Sequence, residues 1–275
     1  MLTIDVFTSG YKPIVADGHD APTWPASTST LIAGERDAVL VDALITAAEA
    51  GRLVEWIRSK DRNLTHVYVT HGHADHFLGL SVVQRAFPAV TAVALPEVVP
   101  YAQEQVAPGY LAYWESLFPG QLPSGPPVVP VPLDSDVILL EGAEIRPVAV
   151  GQSDTHPSSV VHVPGAEAVV GGDVAYDGIH MWLAQTDRAA RRRWLAAIDT
   201  VEALRPRRIV TGHRDPGAPD EDAARILAFS RGYLTAFDEA LTGAPDAAAL
   251  IAAMDAAYPG LGNPYTLSAS ALGQF

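Results

Sequence analysis

Four side chains that can bind metal lie within a short stretch of this chain, at His71, His73, Asp75 and His76. Imidazole nitrogens and carboxylate oxygens are good ligands for zinc and similar metals. Two histidines two positions apart on a tight turn can share one ion, and the Asp-His pair beyond them can serve a second ion nearby. The pattern predicts a metal site on this loop.

The residues on either side of the loop predict the elements that hold it. Residues 66–70 are β-branched and aromatic, which is typical of a short buried strand. Residues 77–87 predict a helix that Pro88 ends. The four polar groups therefore lie where a strand ends and a helix begins, a common place for the active sites of open α/β sheets.

The His-x-His-x-Asp-His pattern of residues 71–76 resembles the signature of the metallo-β-lactamase-fold hydrolases. The later landmarks of that family follow in order: a histidine-bearing loop at 151–159, a strand ending at 171–173 and a strand ending at 211–213. The resemblance covers roughly residues 1–215. It implies an α/β fold of four layers, an αββα sandwich of two mixed β-sheets flanked by helices.

The resemblance also implies how the side chains share two ions. A carboxylate that closes a strand at Asp173 can bridge two cations about 3.5–4 Å apart. We expect two zinc ions in each chain, with iron or manganese as alternatives. The expected ligands besides Asp173 are His71 and His73 for the first ion, and Asp75, His76 and His213 for the second.

The third ligand of the first ion is where this chain departs from the family pattern. Related sequences place a histidine directly after the strand-end glycine of the 151–159 loop, and here that position is Gln152. His156 lies on the same loop, followed by Pro157. An imidazole binds zinc more strongly than an amide oxygen does, so we expect His156 to complete the site. The alternatives are that Gln152 is the third ligand or that the site is half-empty.

Other residues are candidates for supporting roles. Tyr176 and His180 follow Asp173, where related hydrolases line their pocket: the first could donate a hydrogen bond to a developing oxyanion, the second could touch the substrate. Packing within the loop is the alternative for both. Asp75 or Asp173 is expected to orient the attacking hydroxide. Asp42 is expected beneath the metal loop, or else as the N-cap of the helix that follows.

Composition limits the partners. The chain has 275 residues, a net charge of -14 and no cysteine. So acidic a chain argues against nucleic acid and anionic membrane surfaces, which favours a small-molecule substrate. The absence of cysteine excludes disulfides and thiolate ligands. Without an evident signal peptide or an apolar run of about 18 residues, we expect a cytoplasmic protein. A homodimer is left open.

We expect a single domain over residues 1–275 with two helical additions. Segment 96–122 carries aromatic residues on what look like short helices, and it predicts either core packing or a lid over the metal site. Its aromatic residues include Tyr101, Tyr110, Tyr113, Trp114 and Phe118. Residues 220–275 are expected to form a C-terminal segment of helices with an irregular tail.

The expected chemistry is metal-assisted hydrolysis, in which a hydroxide bridging two zinc ions attacks a small ester, lactone or related acyl bond. A dedicated β-lactamase is disfavoured, because the chain has no cysteine and carries Asp173. A thioester hydrolase of the glyoxalase II type is an alternative, although the tail beyond residue 232 lacks the basic residues that glutathione needs. A mononuclear non-haem iron enzyme similar to persulfide dioxygenases is another, which Gln152 keeps open.

Overall fold

Two β-sheets dominate the computed structural model, which describes residues 2–275. The strands of the first sheet, in spatial order, are β1 (Thr3–Thr8), β4 (Thr28–Ala33), β5 (Asp37–Val41), β6 (Asn63–Tyr68), β7 (Thr91–Ala94) and β8 (Val131–Pro132). Those of the second are β13 (Arg208–Arg214), β12 (Ala168–Asp177), β11 (Ser158–Val163), β10 (Ala143–Gly151) and β9 (Ile138–Leu140). A small hairpin pairs β2 (Lys12–Pro13) with β3 (Thr23–Trp24).

The helices follow the strands of both halves. They are α1 (Ala47–Ser59), α2 (Leu80–Ala86), α3 (Val99–Gln105), α4 (Pro108–Leu117), α5 (Arg188–Ala203), α6 (Ala223–Gly243), α7 (Ala247–Ala257) and α8 (Pro264–Leu272). No helix within residues 2–275 has both the length and the apolar character needed to cross a membrane. The expected irregular tail is wrong, because α8 forms there with Pro264 in its first turn.

Alternating side chains on the central strands explain the layers. In the first sheet, one set of residues packs with helix α1 and the opposite set faces the second sheet. The helix-facing set includes Leu31, Leu40 and Val67, and the inter-sheet set includes Ile32, Val41 and Tyr68. The second sheet repeats this order, with Val161, Val170 and Val210 turned inward and Val160, Val169 and Ile209 turned toward α5 and α6. The predicted αββα sandwich is confirmed.

The segment at 96–122 forms α3 and α4 and reaches the site from one side. Trp114 and Phe118 are buried and pack edge-on against Trp24. Tyr110 and Tyr113 instead line a cavity together with the predicted metal ligands. Part of the segment is therefore core, and part of it lines the cavity.

Candidate metal centre

The loop at 71–76 leaves β6 and turns through a short 3-10 helix, Ala74–His76, before α2 begins at Leu80. The expected helix at 77–87 therefore starts later than the sequence pattern indicated. The four polar side chains of this loop are all buried: His71, His73, Asp75 and His76.

The structure brings these four together with residues from three other elements. Three groups have ligand atoms within 4.8 Å of one another: His71, His73 and Asp154; Asp75, His76 and His213; and His71, His76 and Asp173. The third group connects the other two. The arrangement therefore has the form of two neighbouring sites with Asp173 between them.

Each histidine has one ring nitrogen held by a protein oxygen on the outer side of the cluster. The four contacts are His71 Nδ1 with Thr70 Oγ1 at 3.0 Å, His73 Nε2 with Gln185 Oε1 at 2.8 Å, His76 Nδ1 with Asp42 Oδ2 at 2.8 Å, and His213 Nδ1 with Ser27 Oγ at 3.3 Å. Contacts of this kind fix the ring and its tautomer in metal sites. The second nitrogen of each ring is left for the centre.

Asp42 lies beneath the metal loop, as the resemblance implied. Besides His76, its carboxylate accepts hydrogen bonds from the Thr70 backbone N–H and hydroxyl, both at 2.9 Å. The alternative that Asp42 caps the next helix is wrong, since Thr46 is the N-cap of α1 and forms a capping box with Glu49. Asp42 therefore joins the end of β5 to the loop that carries the histidines.

Unpartnered atoms at the centre show that the cluster fits a cation. His71 Nε2, His76 Nε2 and Asp173 Oδ1 are buried and make no hydrogen bond with residues 2–275. The last two lie 3.2 Å apart, but without hydrogen-bond geometry. Buried polar atoms without partners are costly, and a metal ion bound by all three would remove that cost.

The carboxylates also favour positive charge at the centre. Burial alone would lower the pKa of His76, but the carboxylates of Asp173 and Asp42 outweigh it and raise that pKa well above its usual range. In the same way the pKa of His213 rises to about 9, against the effect of burial, mainly through Asp173. Burial and the neighbouring His76 lower the pKa of His71 to about 4, so its imidazole is neutral and free to bind metal.

In the candidate group that contains His71 and His73, the third side chain is Asp154, where His156 was expected. Its Oδ2 lies 2.7 Å from His73 Nδ1, and its Oδ1 lies 3.8 Å from His71 Nε2. Ser153 Oγ donates to Oδ1 over 2.8 Å and orients the carboxylate. Asp154 is the residue that sequence reasoning missed, although a carboxylate on the same loop as His156 was a signal for it.

The structure does not place His156 or Gln152 in the ligand groups. His156 is exposed and borders a separate surface cavity. Gln152 is buried, but its amide nitrogen donates to the Ser153 carbonyl and its oxygen accepts from Arg193. An imidazole is a better zinc ligand than an amide. The path of the loop, however, turns Asp154, which lies between Gln152 and His156, toward His71 and His73.

Asp173 does not end its strand, contrary to expectation. β12 continues to Asp177, and its pairing with β13 is irregular between Gly172 and Tyr176. This bulge turns the Asp173 side chain toward the loop at 71–76. His213 lies one residue before the end of β13, as expected.

Tyr176 and His180 are not among the residues that line the metal cavity. Tyr176 is fully buried behind Asp173, where its hydroxyl donates to Asp173 Oδ2 over 2.6 Å. His180 Nδ1 instead contacts the Tyr233 hydroxyl at 2.9 Å, beneath the C-terminal helices. Substrate contact by either side chain is therefore not supported, and Tyr176 acts on the site through Asp173.

A cavity opens directly onto the ligand groups. The residues that line it beside the expected ligands are Trp24, Pro25, Gln105, Tyr110, Tyr113, Trp114, Trp182 and Gln185. Trp24 also donates its indole N–H to Asp75 Oδ2 over 2.8 Å, which fixes the orientation of that carboxylate. Trp24 had no signal in the sequence, because the hairpin that carries it is distant in the chain from residues 71–76.

Comparison with known proteins agrees with this fold. The model of the metallo-beta-lactamase superfamily matches residues 22–213, which is more than half of the chain. None of the curated proteins matches the sequence. Among solved structures, a metallo-beta-lactamase from Pontibacter korlensis superposes with a TM-score of 0.62 at 20% identity, over 86% of this chain and 99% of that one.

Two further structures show the same likeness. The metallo-beta-lactamase FIM-1 from Pseudomonas aeruginosa, in a mono-zinc form, has a TM-score of 0.60 at 17% identity and covers 84% of this chain and 91% of its own. A metallo-beta-lactamase from Hirschia baltica has a TM-score of 0.58 at 19% identity, over 84% and 93% of the two chains. The chain belongs to the metallo-beta-lactamase superfamily, and its fold is that of a metal-dependent hydrolase.

Proposed function

We propose that this chain is a hydrolase that uses two zinc ions to cleave an ester or lactone bond in a small molecule. The observation that supports it most is that two ligand groups adjoin Asp173, with one ring nitrogen of each of four histidines turned to the carboxylates and two of those nitrogens without a hydrogen-bond partner in residues 2–275. Such a donor set suits zinc, and it equally accepts iron or manganese.

The residues present divide into two sets of ligands. His71 Nε2, His73 Nδ1 and Asp154 would hold one ion. Asp75, His76 Nε2 and His213 Nε2 would hold the other, and Asp173 would contact both. When bound, metal ions in a site of this kind lower the pKa of water toward neutrality and polarise a carbonyl group.

The cavity favours direct attack by water. Within residues 2–275, the side chains that line it include no serine, threonine, cysteine or lysine, and its carboxylates belong to the proposed ligand groups. The protein's own contribution is to orient the two carboxylates. Trp24 holds Asp75 through the indole N–H, and Tyr176 holds Asp173 through the hydroxyl. We therefore expect hydrolysis without a covalent intermediate.

A second candidate function rests on the composition of the first group. His71, His73 and Asp154 are two histidines and one carboxylate, the ligand set of many non-haem iron oxygenases. A mononuclear iron enzyme acting on a thiol persulfide would use this group alone. Such an enzyme would leave the second group, Asp75, His76 and His213, without a function. This favours the hydrolase proposal.

The test combines metal content with reactivity. The protein is purified without added metal, its zinc, iron and manganese are measured, and it is assayed against esters, lactones and thioesters with and without dioxygen. The hydrolase proposal expects two metal equivalents per chain and acid production that is independent of dioxygen. One iron per chain with a thiol-dependent uptake of dioxygen would establish the second candidate instead.

A further inference from the structure

The wall of the metal cavity is aromatic. Trp24 packs edge-on against Trp114 with ring centroids 5.4 Å apart, and it meets Trp182 at 5.2 Å. Tyr110 and Tyr113, from the same helix as Trp114, add two further rings to the lining. Aromatic walls of this kind bind the apolar or aromatic body of a ligand.

This wall carries no side-chain cation. No lysine or arginine of residues 2–275 is among the residues that line the cavity. The neighbouring Lys12 is buried elsewhere, where its ammonium bonds the Pro25 carbonyl and pairs with Glu49 at 3.1 Å. A carboxylate on the substrate body would thus lose its hydration and meet only neutral donors on the wall, without an opposite charge to pair with, which is unfavourable.

Among the polar side chains that line the cavity, Gln105 is almost completely buried. Gln105 is only 1% exposed, and its Oε1 accepts a hydrogen bond from the Trp114 indole N–H at 3.0 Å. Because an indole nitrogen can only donate, this contact fixes the oxygen side of the carboxamide. The NH2 group is left toward the cavity that Gln105 lines, without a hydrogen bond to residues 2–275.

Gln105 makes no hydrogen bond to the expected metal ligands within residues 2–275. It is connected to them through two indole rings, since its partner Trp114 packs against Trp24 and Trp24 donates to Asp75. We therefore assign its donor to the body of a bound substrate and not to the carbonyl group that is cleaved.

We propose that Gln105 determines specificity, by donating a hydrogen bond to an uncharged oxygen on the apolar or aromatic body of the substrate. This proposal rests on the proposed function, and it names the substrate class as neutral, aromatic esters or lactones with a second polar oxygen. Carboxylate-bearing substrates of the same shape should bind more weakly, because no lysine or arginine of residues 2–275 lines the cavity.

The test uses three methyl esters of phenylacetic acid that carry a para carboxamide, carboxylate or methyl group. Their leaving group is the same, and the reacting carbonyl is insulated from the para group. The matching methyl ketones, which cannot be hydrolysed, are titrated into the zinc-loaded protein by calorimetry. We expect the carboxamide ketone to bind about tenfold more tightly than the carboxylate ketone, the effect of one unpartnered charge at an interior site.

Substitutions at Gln105 distinguish the loss of its hydrogen-bond donor from a change in packing. Gln105→Met removes the NH2 group at similar size, and we expect it to weaken the carboxamide ketone about three- to tenfold while the methyl ketone is unchanged. Gln105→Glu keeps an acceptor for the Trp114 indole N–H and also lacks the NH2 donor. If Gln105→Met does not fold, the same ketone titrations are made with Gln105→Glu. Gln84→Met, the same change on α2 outside the cavity, is the control.

The outcomes separate the two proposals. If the ketones show the expected ratios and no ester is hydrolysed, the hydrolase proposal fails and the role of Gln105 stands. If the esters are hydrolysed but the carboxylate ketone binds as tightly as the carboxamide ketone, or Gln105→Met weakens all three ketones equally, the role of Gln105 is overturned.

Discussion

Asp154 Oδ2 lies 2.7 Å from His73 Nδ1, and the other nitrogen of the same ring contacts Gln185 Oε1 at 2.8 Å. The imidazole is therefore held from both sides, with its Nδ1 and the Asp154 carboxylate facing the same point. That point is where a metal ion would satisfy both groups together with His71. The assignment of Asp154 as a metal ligand depends on this contact, and substitution of Asp154 tests it.

Substitution of Asp154 by alanine should remove about one equivalent of metal per chain, because only His71 and His73 remain in that group. His156→Ala and Gln152→Ala, on the same loop, should keep the full metal content, since neither side chain lies in a ligand group. Metal analysis after dialysis of the three variants checks this. Loss of metal in His156→Ala, with Asp154→Ala unchanged, would refute the assignment.

Asp42→Asn should weaken metal binding without unfolding the protein. The asparagine oxygen can still accept from Thr70, but its NH2 group cannot accept the proton of His76 Nδ1, so the ring loses its anchor. Loss of such an outer contact lowers metal affinity by about 10–100-fold. Competition with a chelator measures the change, and the exposed Asp134→Asn serves as control. Equal affinity in both variants would contradict the role of Asp42.

Gly212→Ala, in β13, should disrupt the candidate metal centre. A Cβ atom at residue 212 would lie 2.2 Å from Asp173 Oδ1 and 2.9 Å from His76 Cε1. Both side chains would have to move, so we expect loss of metal and of hydrolysis. Gly165→Ala, whose Cβ would meet nothing within 4 Å, is the matched control. Full metal content in Gly212→Ala would show that the cluster is looser than the structure indicates.

The two parts of segment 96–122 should respond differently to truncation. Phe118 is fully buried, so Phe118→Ala should lower the free energy of unfolding by about 3–5 kcal/mol and leave substrate preference intact. Tyr113 is 45% exposed and lines the cavity, so Tyr113→Ala should change relative kcat/KM values among esters with little effect on Tm. Unfolding and kinetic measurements on both variants check this. A uniform loss of stability in both would make the whole segment core.

The sequence predicted the layers and most of the centre because both depend on local patterns. Alternating apolar residues determine which face of each strand is buried, and residues 71–76 hold their ligands on one short turn. Asp154 was missed because its place depends on the path of a loop, which ligand strength alone does not reveal. Trp24 and Gln105 reach the cavity only through tertiary packing, so no local pattern marks them.

The extent of β12 was misjudged for a related reason. Gly171 and Gly172 before Asp173 are typical of a strand end, whereas the structure uses Gly172, at a φ of +47°, inside an irregular strand. This irregularity gives Asp173 its position between the two groups. Helix α8 was not predicted; it begins at Pro264, directly after Asn263, which has a φ of +59°.

Zinc titration into metal-free protein, with hydrolysis of a neutral aromatic ester followed at each addition, tests the proposal of a two-ion hydrolase. We expect saturation at two equivalents per chain, activity that requires no dioxygen, and loss of binding at both sites in Asp173→Ala, because that carboxylate lies between the two groups. Saturation at one equivalent with the second group unused, or hydrolysis that persists in metal-free protein, would contradict it.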